Sequence, residues 1–381
     1  MNTQQILDQF HHERNSSKNT VYAYHQSVCL FEKYTNMKLS AFMYLVQEEQ
    51  EKKIAWINQT LRQILIGYRR YLYDNYSINT AKQHLSRIIA ILRHFELTIH
   101  KLPYFSTKKS KPNIPINPDL MVDREILRLC INVKNPLLKA IVLFMSSTGM
   151  SKTDTLNLTV NDYLEATSDY HKTNHLPNAL HILSERKDII GYWENFTRQK
   201  TGIVYYTFNS PESNIAISDY LMSRERLTLT DPLFDISYKY LSDLFKETND
   251  KLGLGRNGRY SRFASHMLRR YHATQLAEAG MDTNKINLLQ GRKLIGVAHN
   301  SYIKIKPSKL RDEYIEALPY LVVEDYHRVK TELDVTKEQL EETTRENIEL
   351  KNNINNIWEE LENVKHRQDV WEQLKKESKT Q

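Results

Sequence analysis

The sequence predicts a mainly α protein with a small β component. Only ten of its 381 residues are glycine and ten are proline, and long stretches place apolar residues at helical spacing. One segment, "GIVYYTF", has the β-branched and aromatic composition that favours a strand. A proline-rich stretch and a heptad repeat then divide the chain. These observations indicate two folded domains followed by a helical tail.

Residues 1–105 are predicted to form an all-helical domain. The segments "SSKNTVYAYHQSVCLFEKYTN", "LRQILIGYRRYLYDNY" and "SINTAKQHLSRIIAILRHFEL" are amphipathic, with no clear strand pattern between them. We therefore expect four or five helices. Five basic residues fall on polar faces of these helices, where they are either solvated or able to grip phosphate groups: Arg69, Arg70, Lys82, Arg87 and Arg93.

Residues 106–118 read as an extended linker, because each proline biases its predecessor away from helix. The following domain, residues 119–324, is predicted to be mixed α/β. "DREILRLCI" and "PLLKAIVLFMSSTGM" are helical, "ALHILSERKDIIG" is ambiguous but compatible with a short strand, and "GIVYYTF" is a strand.

Residues 325–381 carry a heptad repeat typical of a coiled coil. Asn347 at a core position is the kind of polar residue that fixes the register of a two-stranded coil. A long helix that folds back on its own domain also fits, but seven periods favour self-association or a partner helix. The predicted core consists of Tyr326, Leu333, Leu340, Asn347, Ile354, Leu361 and Gln368, and of Val329, Thr336, Thr343, Leu350, Ile357, Val364 and Trp371.

Charge and composition narrow the class of protein. The tail holds 10 Lys and Arg against 14 Asp and Glu, which leaves 43 basic and 32 acidic residues in residues 1–324. A basic body with an acidic tail suits a protein that binds a polyanion such as nucleic acid. Two unpaired cysteines exclude a disulfide framework, and no apolar run is long enough to span a bilayer. We expect a soluble cytoplasmic protein, associated with the nucleoid and not with a membrane.

The stretch "FASHMLRRYHATQLAEAG" carries the first chemical signal. His266 and Arg269 lie one turn apart on the same helix face, and Ser265 is a candidate helix cap. An imidazole and a guanidinium at the start of a helix favour the binding of an anion there. A second helix, capped by Asp282, is expected to end at Gln290, and "HNSYIK" with Tyr302 follows.

Two upstream motifs complete a recognisable order. "FMSSTGMSKTDTLNLT" places a Thr-Gly turn between helices, and "RQKTGIVYYTFNSPE" places Lys200 before the strand. With His266, Arg269 and Tyr302, this order resembles the catalytic domain of the tyrosine recombinases, the phage integrase family. The amino-terminal helices resemble that family's SAM-like core-binding domain, so the likeness covers roughly residues 10–310. The tail lies outside it.

The resemblance implies an integrase of an archaeon, a phage or another mobile element. Tyr302 would attack a DNA phosphate and form a 3′-phosphotyrosine, so that rejoining needs no metal, nucleotide or other cofactor. Arg269 would grip the phosphate oxygens and His266 would exchange a proton with the nucleophile. Lys200 would protonate the departing 5′ oxygen, with Arg198 and Lys187 as alternatives for that role.

The chain departs from the family pattern at two positions. Ser151 stands where the first arginine of the family motif belongs, although Lys152 beside it could supply a positive charge. Arg292 stands in place of the family's second histidine, where it can donate hydrogen bonds but cannot act as a base. Three consequences are open: a weakened or inactive enzyme, a local shift that brings Lys152 into the phosphate site, or an arginine from elsewhere that completes it.

A function without catalysis is also compatible with the sequence. Residues 265–293 form a helix, a Gly-containing turn and a second helix, close to a helix-turn-helix unit, and the tail would serve as a dimeriser. Such a protein would be a DNA-binding regulator. The recombinase interpretation predicts double-stranded DNA sites as substrate, a tetramer on DNA assisted by the tail, and an accessory DNA-bending factor as a further partner.

Overall fold

The computed structural model describes residues 1–107, 117, 120–173, 175–198, 202–294 and 306–325, and parts of the tail between residues 336 and 361. The chain divides into two compact units, Met1–Pro115 and Ile116–Gln381. The described residues are mainly helical with two small antiparallel sheets, which confirms the predicted mainly α class with a small β component. None of the helices among them is long and apolar enough to cross a lipid bilayer.

The secondary-structure elements among the described residues of the amino-terminal unit are all helical. Asn2 and Gln5 form a capping box at its first helix, and Ser17 caps the second. Its core packs Phe31 against Phe42 and Tyr68 with edge-to-face ring contacts. The elements are α1 (Thr3–Glu13), α2 (Lys18–Thr35), α3 (Leu39–Glu51), a short 3₁₀ turn (Trp56–Asn58), α4 (Thr60–Asn75) and α5 (Ile78–His94).

The basic residues of this unit have different surroundings. Arg69 donates to the carbonyl of Pro103 at 2.9 Å and lies over the ring of Phe105, so it fastens the segment after α5 to α4. Arg87 donates to Ser27 Oγ at 3.3 Å. The other three, Arg70, Lys82 and Arg93, are exposed.

The second unit combines helices with two β-hairpins. In the larger hairpin β1 pairs with β2, and the register shifts between Trp193 and Phe196. The elements are α6 (Arg124–Ile131), α7 (Pro136–Thr148), α8 (Lys152–Leu156), α9 (Val160–Ala166), α10 (Ser168–His171), α11 (Leu176–Glu185), β1 (Gly191–Thr197), β2 (Val204–Asn209), α12 (Pro211–Met222), α13 (Tyr238–Lys251), β3 (Arg256–Asn257), β4 (Tyr260–Ser261), α14 (Ser265–Glu278), α15 (Thr283–Leu289) and α16 (Pro307–Leu321).

Helix α7 is the centre of this unit because it is apolar on nearly every side. Asn135 caps it and Pro136 begins it, whereas Gly149 ends it in the left-handed conformation with φ of 65°. Helices α12 and α14 pack against it. The Thr-Gly turn predicted after this helix is therefore confirmed.

Helices α14, α15 and α16 enclose a second apolar cluster. Leu276, Ile286 and Leu289 are buried there, as is Leu268 in the neighbouring main core. The prediction was wrong for Leu288, which is partly exposed because it falls beside the buried stripe of the short helix α15. Asp282 caps α15 as predicted.

The structure resolves one ambiguous segment and corrects one predicted cap. Most of the ambiguous segment "ALHILSERKDIIG" (179–191) is not a strand: residues 179–185 belong to helix α11, because Pro177 suits a first helical turn and Ala179, Leu180 and Leu183 share one buried face. Ser265 does not cap α14; Ala264 occupies the cap position, and no side chain accepts a hydrogen bond there.

The described tail residues are helical and expose their apolar side chains. Residues 343–354 are one such stretch. Leu350 and Ile357, two of the predicted core positions, are 58% and 57% exposed. The coiled coil itself stays a prediction.

Candidate active site

The carboxyl end of α7 is held by three elements at once. Tyr314 Oη donates to the carbonyl of Ser147 at 2.9 Å, and Thr207 Oγ1 donates to that of Thr148 at 2.8 Å. The carbonyl of Gly149 accepts from Arg269. The last carbonyls of a helix have no partner within the helix, so each of these bonds satisfies a group that would otherwise be unpaired. The turn thus joins α16, β2 and α14 at one point.

Arg269 is the buried cation of this junction. Its side chain is 5% exposed, and Nη1 donates to Gly149 O at 2.5 Å while Nη2 donates to the carbonyl of Gln290. A guanidinium has five N–H donors, and these two bonds to described residues use only two of them. Burial first, and then the positive charges of Arg198 and Arg292, lower the pKa of Arg269. The side chain is therefore fixed in place and poorly neutralised.

Gln290 organises the opposite wall of the junction. Its Nε2 donates to the backbone carbonyl of Arg269 at 2.9 Å and to Nδ1 of His272, also at 2.9 Å. The ring of His272 is fully buried and lies against Gly149, where an added Cβ would come within 2.6 Å of Nδ1. Desolvation, with the charges of Arg269 and Arg292, lowers the pKa of His272 to about 3, so the ring is a neutral packing group.

Arg198 joins the cluster from the larger hairpin. Its Nη1 donates to the carbonyl of Gly291 at 3.0 Å, one residue beyond the carbonyl that Arg269 uses. Arg292 follows directly, and the charges of Arg198 and Arg270 lower its pKa after the larger effect of burial. No salt bridge links any of these guanidinium groups to a carboxylate among the described residues. A cluster of cations of this kind is a site for an anion.

His266 lies at the open side of the cluster. Its Nε2 accepts a hydrogen bond from Arg270 Nε at 3.2 Å, which places the proton of the neutral ring on Nδ1. Burial and then the charges of Arg270, Arg292 and Arg269 lower the pKa of His266. At neutral pH the imidazole is therefore uncharged, as a proton acceptor must be.

The residues at the start of α8 do not join the arginines. Ser151 caps α8, and its hydroxyl donates to Asp154 Oδ2 at 2.7 Å. Lys152 Nζ lies 3.3 Å from the centre of the Tyr238 ring and donates to Ser242 Oγ at 2.5 Å. Its charge is thus directed to α13, away from the candidate anion site.

The structure brings together three of the six predicted catalytic residues: Arg269, Arg292 and His266. Lys152 lies elsewhere, and Lys200 and Tyr302 lie outside the described residues. Sequence reasoning treated Arg198 only as an alternative to Lys200, and it did not single out Gln290 or His272. Within the described ranges, no group of three or more His, Cys, Asp or Glu side chains is placed to hold a metal ion.

Residues 122–309 match the family model of the phage integrase family. The match contains the turn after α7, the larger hairpin, and helices α14 and α15. Residues 122–309 are therefore a domain of the phage integrase family, the family of the site-specific tyrosine recombinases. No curated protein sequence matches it.

Several solved structures resemble the chain at low sequence identity. The XerA recombinase is 18% identical, with a TM-score of 0.33, over 82% of this chain and 97% of its own. The Tn1549 transposon integrase in complex with transposon right end DNA is 15% identical, with a TM-score of 0.48, over 82% and 98%. The XerH recombinase bound to its difH substrate is 13% identical, with a TM-score of 0.47, over 81% and 82%.

Proposed function

We propose that the chain cleaves and rejoins double-stranded DNA through a 3′-phosphotyrosine on Tyr302, with the scissile phosphate bound beside Arg269. One observation carries the proposal. The buried guanidinium of Arg269 is fixed by two carbonyls, surrounded by other cations, and joined to no described carboxylate by a salt bridge. Phosphate oxygens supply the negative charge and the acceptors that such a group lacks.

The atoms of the first step balance without an external reactant. The phenolic oxygen of Tyr302 bonds to phosphorus, and the bond from phosphorus to the 5′ oxygen breaks. The proton of the phenol passes to His266, and the 5′ oxygen takes a proton from Lys200. Arg269 and Arg292 stabilise the charge that develops on the phosphoryl oxygens. Attack by a new 5′ hydroxyl reverses these transfers and rejoins the strand.

The remaining parts of the chain support assembly on DNA. The helical domain of residues 1–105 and the catalytic domain of residues 119–324 would clamp the duplex, joined by the basic linker of residues 106–118. The exposed apolar residues of the tail, together with the polar Asn347 at a predicted core position, suit a coiled coil between copies in a tetramer. An accessory DNA-bending factor and association with the nucleoid belong to the same proposal.

A nicked duplex from the attachment region of the element that carries the gene provides the test. The nick lets the short fragment that carries the 5′ hydroxyl diffuse away after cleavage. Rejoining is then prevented, so the covalent protein–DNA adduct accumulates and is visible on a denaturing gel. We expect the adduct with the wild type and none with Tyr302→Phe. Tyr260→Phe is the matched control, because the Tyr260 ring lies 6.3 Å from that of His266 and is a rival nucleophile.

Each result has a distinct meaning. Loss of the adduct in Tyr260→Phe alone would show that Tyr260, and not Tyr302, is the nucleophile. DNA binding by the wild type without any adduct would overturn the proposal in favour of a non-catalytic DNA-binding regulator. Binding must also weaken steeply as salt rises, because phosphate contacts release counterions.

A further inference from the structure

Arg198 is held in a defined position directly after strand β1 of the larger hairpin. Its backbone N–H donates to the carbonyl of Ile203 at 2.8 Å, and its own carbonyl accepts from the N–H of Gly202 at 2.8 Å. Its side chain then reaches Gly291, 93 positions later in the chain. Both ends of the side chain are thus anchored, so little conformational entropy remains to be lost when a ligand binds.

The turn between α15 and Arg292 binds both Arg198 and Arg269, and the charge of Arg198 acts on Arg269. Arg269 binds the carbonyl of Gln290 and Arg198 binds the next carbonyl, that of Gly291. Consecutive Cα atoms are about 3.8 Å apart, so the two guanidinium groups are anchored at neighbouring points. Two like charges repel each other, and the hydrogen bond that each guanidinium donates to the turn offsets this repulsion.

Arg198 also has an unused donor on the edge suited to phosphate. Donation through Nη1 leaves the edge formed by Nε and Nη2, whose parallel N–H bonds match two oxygens of a phosphate. The Nε atom is buried and has no hydrogen-bond partner. An unpaired buried donor costs free energy, and an oxygen of a bound anion would remove that cost.

We propose that Arg198 is the second arginine that holds the scissile phosphate, in the role that Ser151 leaves unfilled at the start of α8. This inference rests on the proposed function, because it assigns a further residue to the same phosphate. The hydroxyl of Ser151 is engaged with Asp154, and Lys152 is engaged with α13. The larger hairpin thereby carries a phosphate-binding residue that the first motif of this chain lacks.

Inorganic phosphate is the first probe, and it needs no knowledge of the DNA site. The melting temperature of the full chain is measured against phosphate concentration at constant ionic strength, because a ligand that binds the folded state raises it. We expect Arg198→Ala to weaken phosphate binding about 10- to 100-fold. Arg198→Lys keeps the charge but not the paired donors, so its phosphate affinity should lie between that of Arg198→Ala and that of the wild type.

Arg224→Ala is the matched control, because Arg224 also donates to a backbone carbonyl, that of Pro232 at 2.8 Å, on a different part of the unit. It should respond to phosphate as the wild type does. A wild type that does not respond would refute the anion site and the proposed function with it. A wild-type response that Arg198→Ala retains in full would refute only the role of Arg198.

A second readout separates phosphate binding from a merely structural role. In the adduct assay, one non-bridging oxygen of the scissile phosphate is replaced by methyl, which removes the negative charge. If Arg198 neutralises that charge, the defect of Arg198→Ala relative to the wild type shrinks on this substrate. An equal defect on both substrates would show that Arg198 acts by supporting the fold, and would overturn the inference.

Discussion

Arg269 and Gly149 are 120 positions apart in the chain and are joined by a hydrogen bond of 2.5 Å from Nη1 to the backbone carbonyl. The bond unites the two motifs from which the family resemblance was read, the Thr-Gly turn and the His-x-x-Arg helix. The turn therefore acts as an anchor for the arginine. Its glycine is required twice, for the left-handed backbone and for the close approach of the His272 ring.

Gly149→Ala should destabilise the second unit and weaken cleavage together. The left-handed conformation costs a side chain about 1 kcal/mol or more, and overpacking against His272 adds about 1–3 kcal/mol. The carbonyl that holds Arg269 would shift as the ring moves away. Thermal unfolding and the adduct assay measure the two effects.

Gly280→Ala is the matched control for this prediction. Gly280 also has a left-handed backbone, with φ of 89°, but an added Cβ would meet nothing within 4 Å. The Gly280→Ala variant should lose only the free energy that a side chain costs in a left-handed backbone, and it should keep its cleavage activity. Equal losses of melting temperature in both variants would show that contact with His272 is unimportant.

Arg292→Gln should separate activity from stability. Removal of this cation relieves the repulsion that the charge of Arg269 experiences, so the melting temperature without phosphate should stay the same or rise. The yield of covalent adduct should fall about tenfold or more, because a charge-assisted hydrogen bond to the phosphate is lost. A lower melting temperature with unchanged adduct would assign Arg292 a structural role.

The features of this site that depend on neighbouring residues could be predicted from the sequence, whereas those that depend on residues far apart in the chain could not. The cap at Asp282 and the turn at Gly149 are local features, and both were found from their neighbours. The position of Lys152 was not, because the Tyr238 ring that attracts it belongs to a helix 86 positions away. The part played by Arg198 depends in the same way on the carbonyl of Gly291. Residue type indicates which chemistry is available, but tertiary packing decides which side chains meet.

Glu212 links the start of α12 to the chain that leaves α16. Its carboxylate is 2% exposed and accepts from the backbone N–H groups of Val323 and Glu324 at 2.9 and 3.0 Å. Burial raises the pKa of Glu212 from 4.5 to about 7; the charge of Glu324 adds to the rise, and that of Lys139 opposes it. Lys139 and Glu324 are themselves paired at 2.6 Å.

The raised pKa of Glu212 gives stability a definite dependence on pH. The folded state holds this proton more tightly than the unfolded chain, so the contribution is complete below about pH 4.5 and is lost as the pH rises through about 7. Glu212→Gln does not titrate, and its amide leaves one N–H without an acceptor, at a cost of about 1–3 kcal/mol. The variant should therefore be less stable at pH 5, and the difference should narrow by pH 8.

Urea denaturation of the wild type and of Glu212→Gln at pH 5, 6, 7 and 8 measures that difference. The narrowing should reach about 3 kcal/mol at most, since one pKa unit corresponds to about 1.4 kcal/mol. A difference in stability that is constant over this pH range would mean that the pKa of Glu212 is the same in the folded and unfolded states.

The tail offers a test of assembly with a matched pair of isoleucines. Ile357 and Ile348 are 57% and 55% exposed on the described tail residues, but only Ile357 falls at a predicted core position of the heptad repeat. If the tail forms a coiled coil between copies, Ile357→Asn places an amide in the buried seam of every strand, whereas Ile348→Asn changes a solvated face. Sedimentation equilibrium of the full chain should show association weakened at least about tenfold by the first change and unaltered by the second. Equal behaviour of the two variants, or a wild type that stays monomeric at all concentrations, would leave the tail free to fold back on its own chain or to bind a different partner.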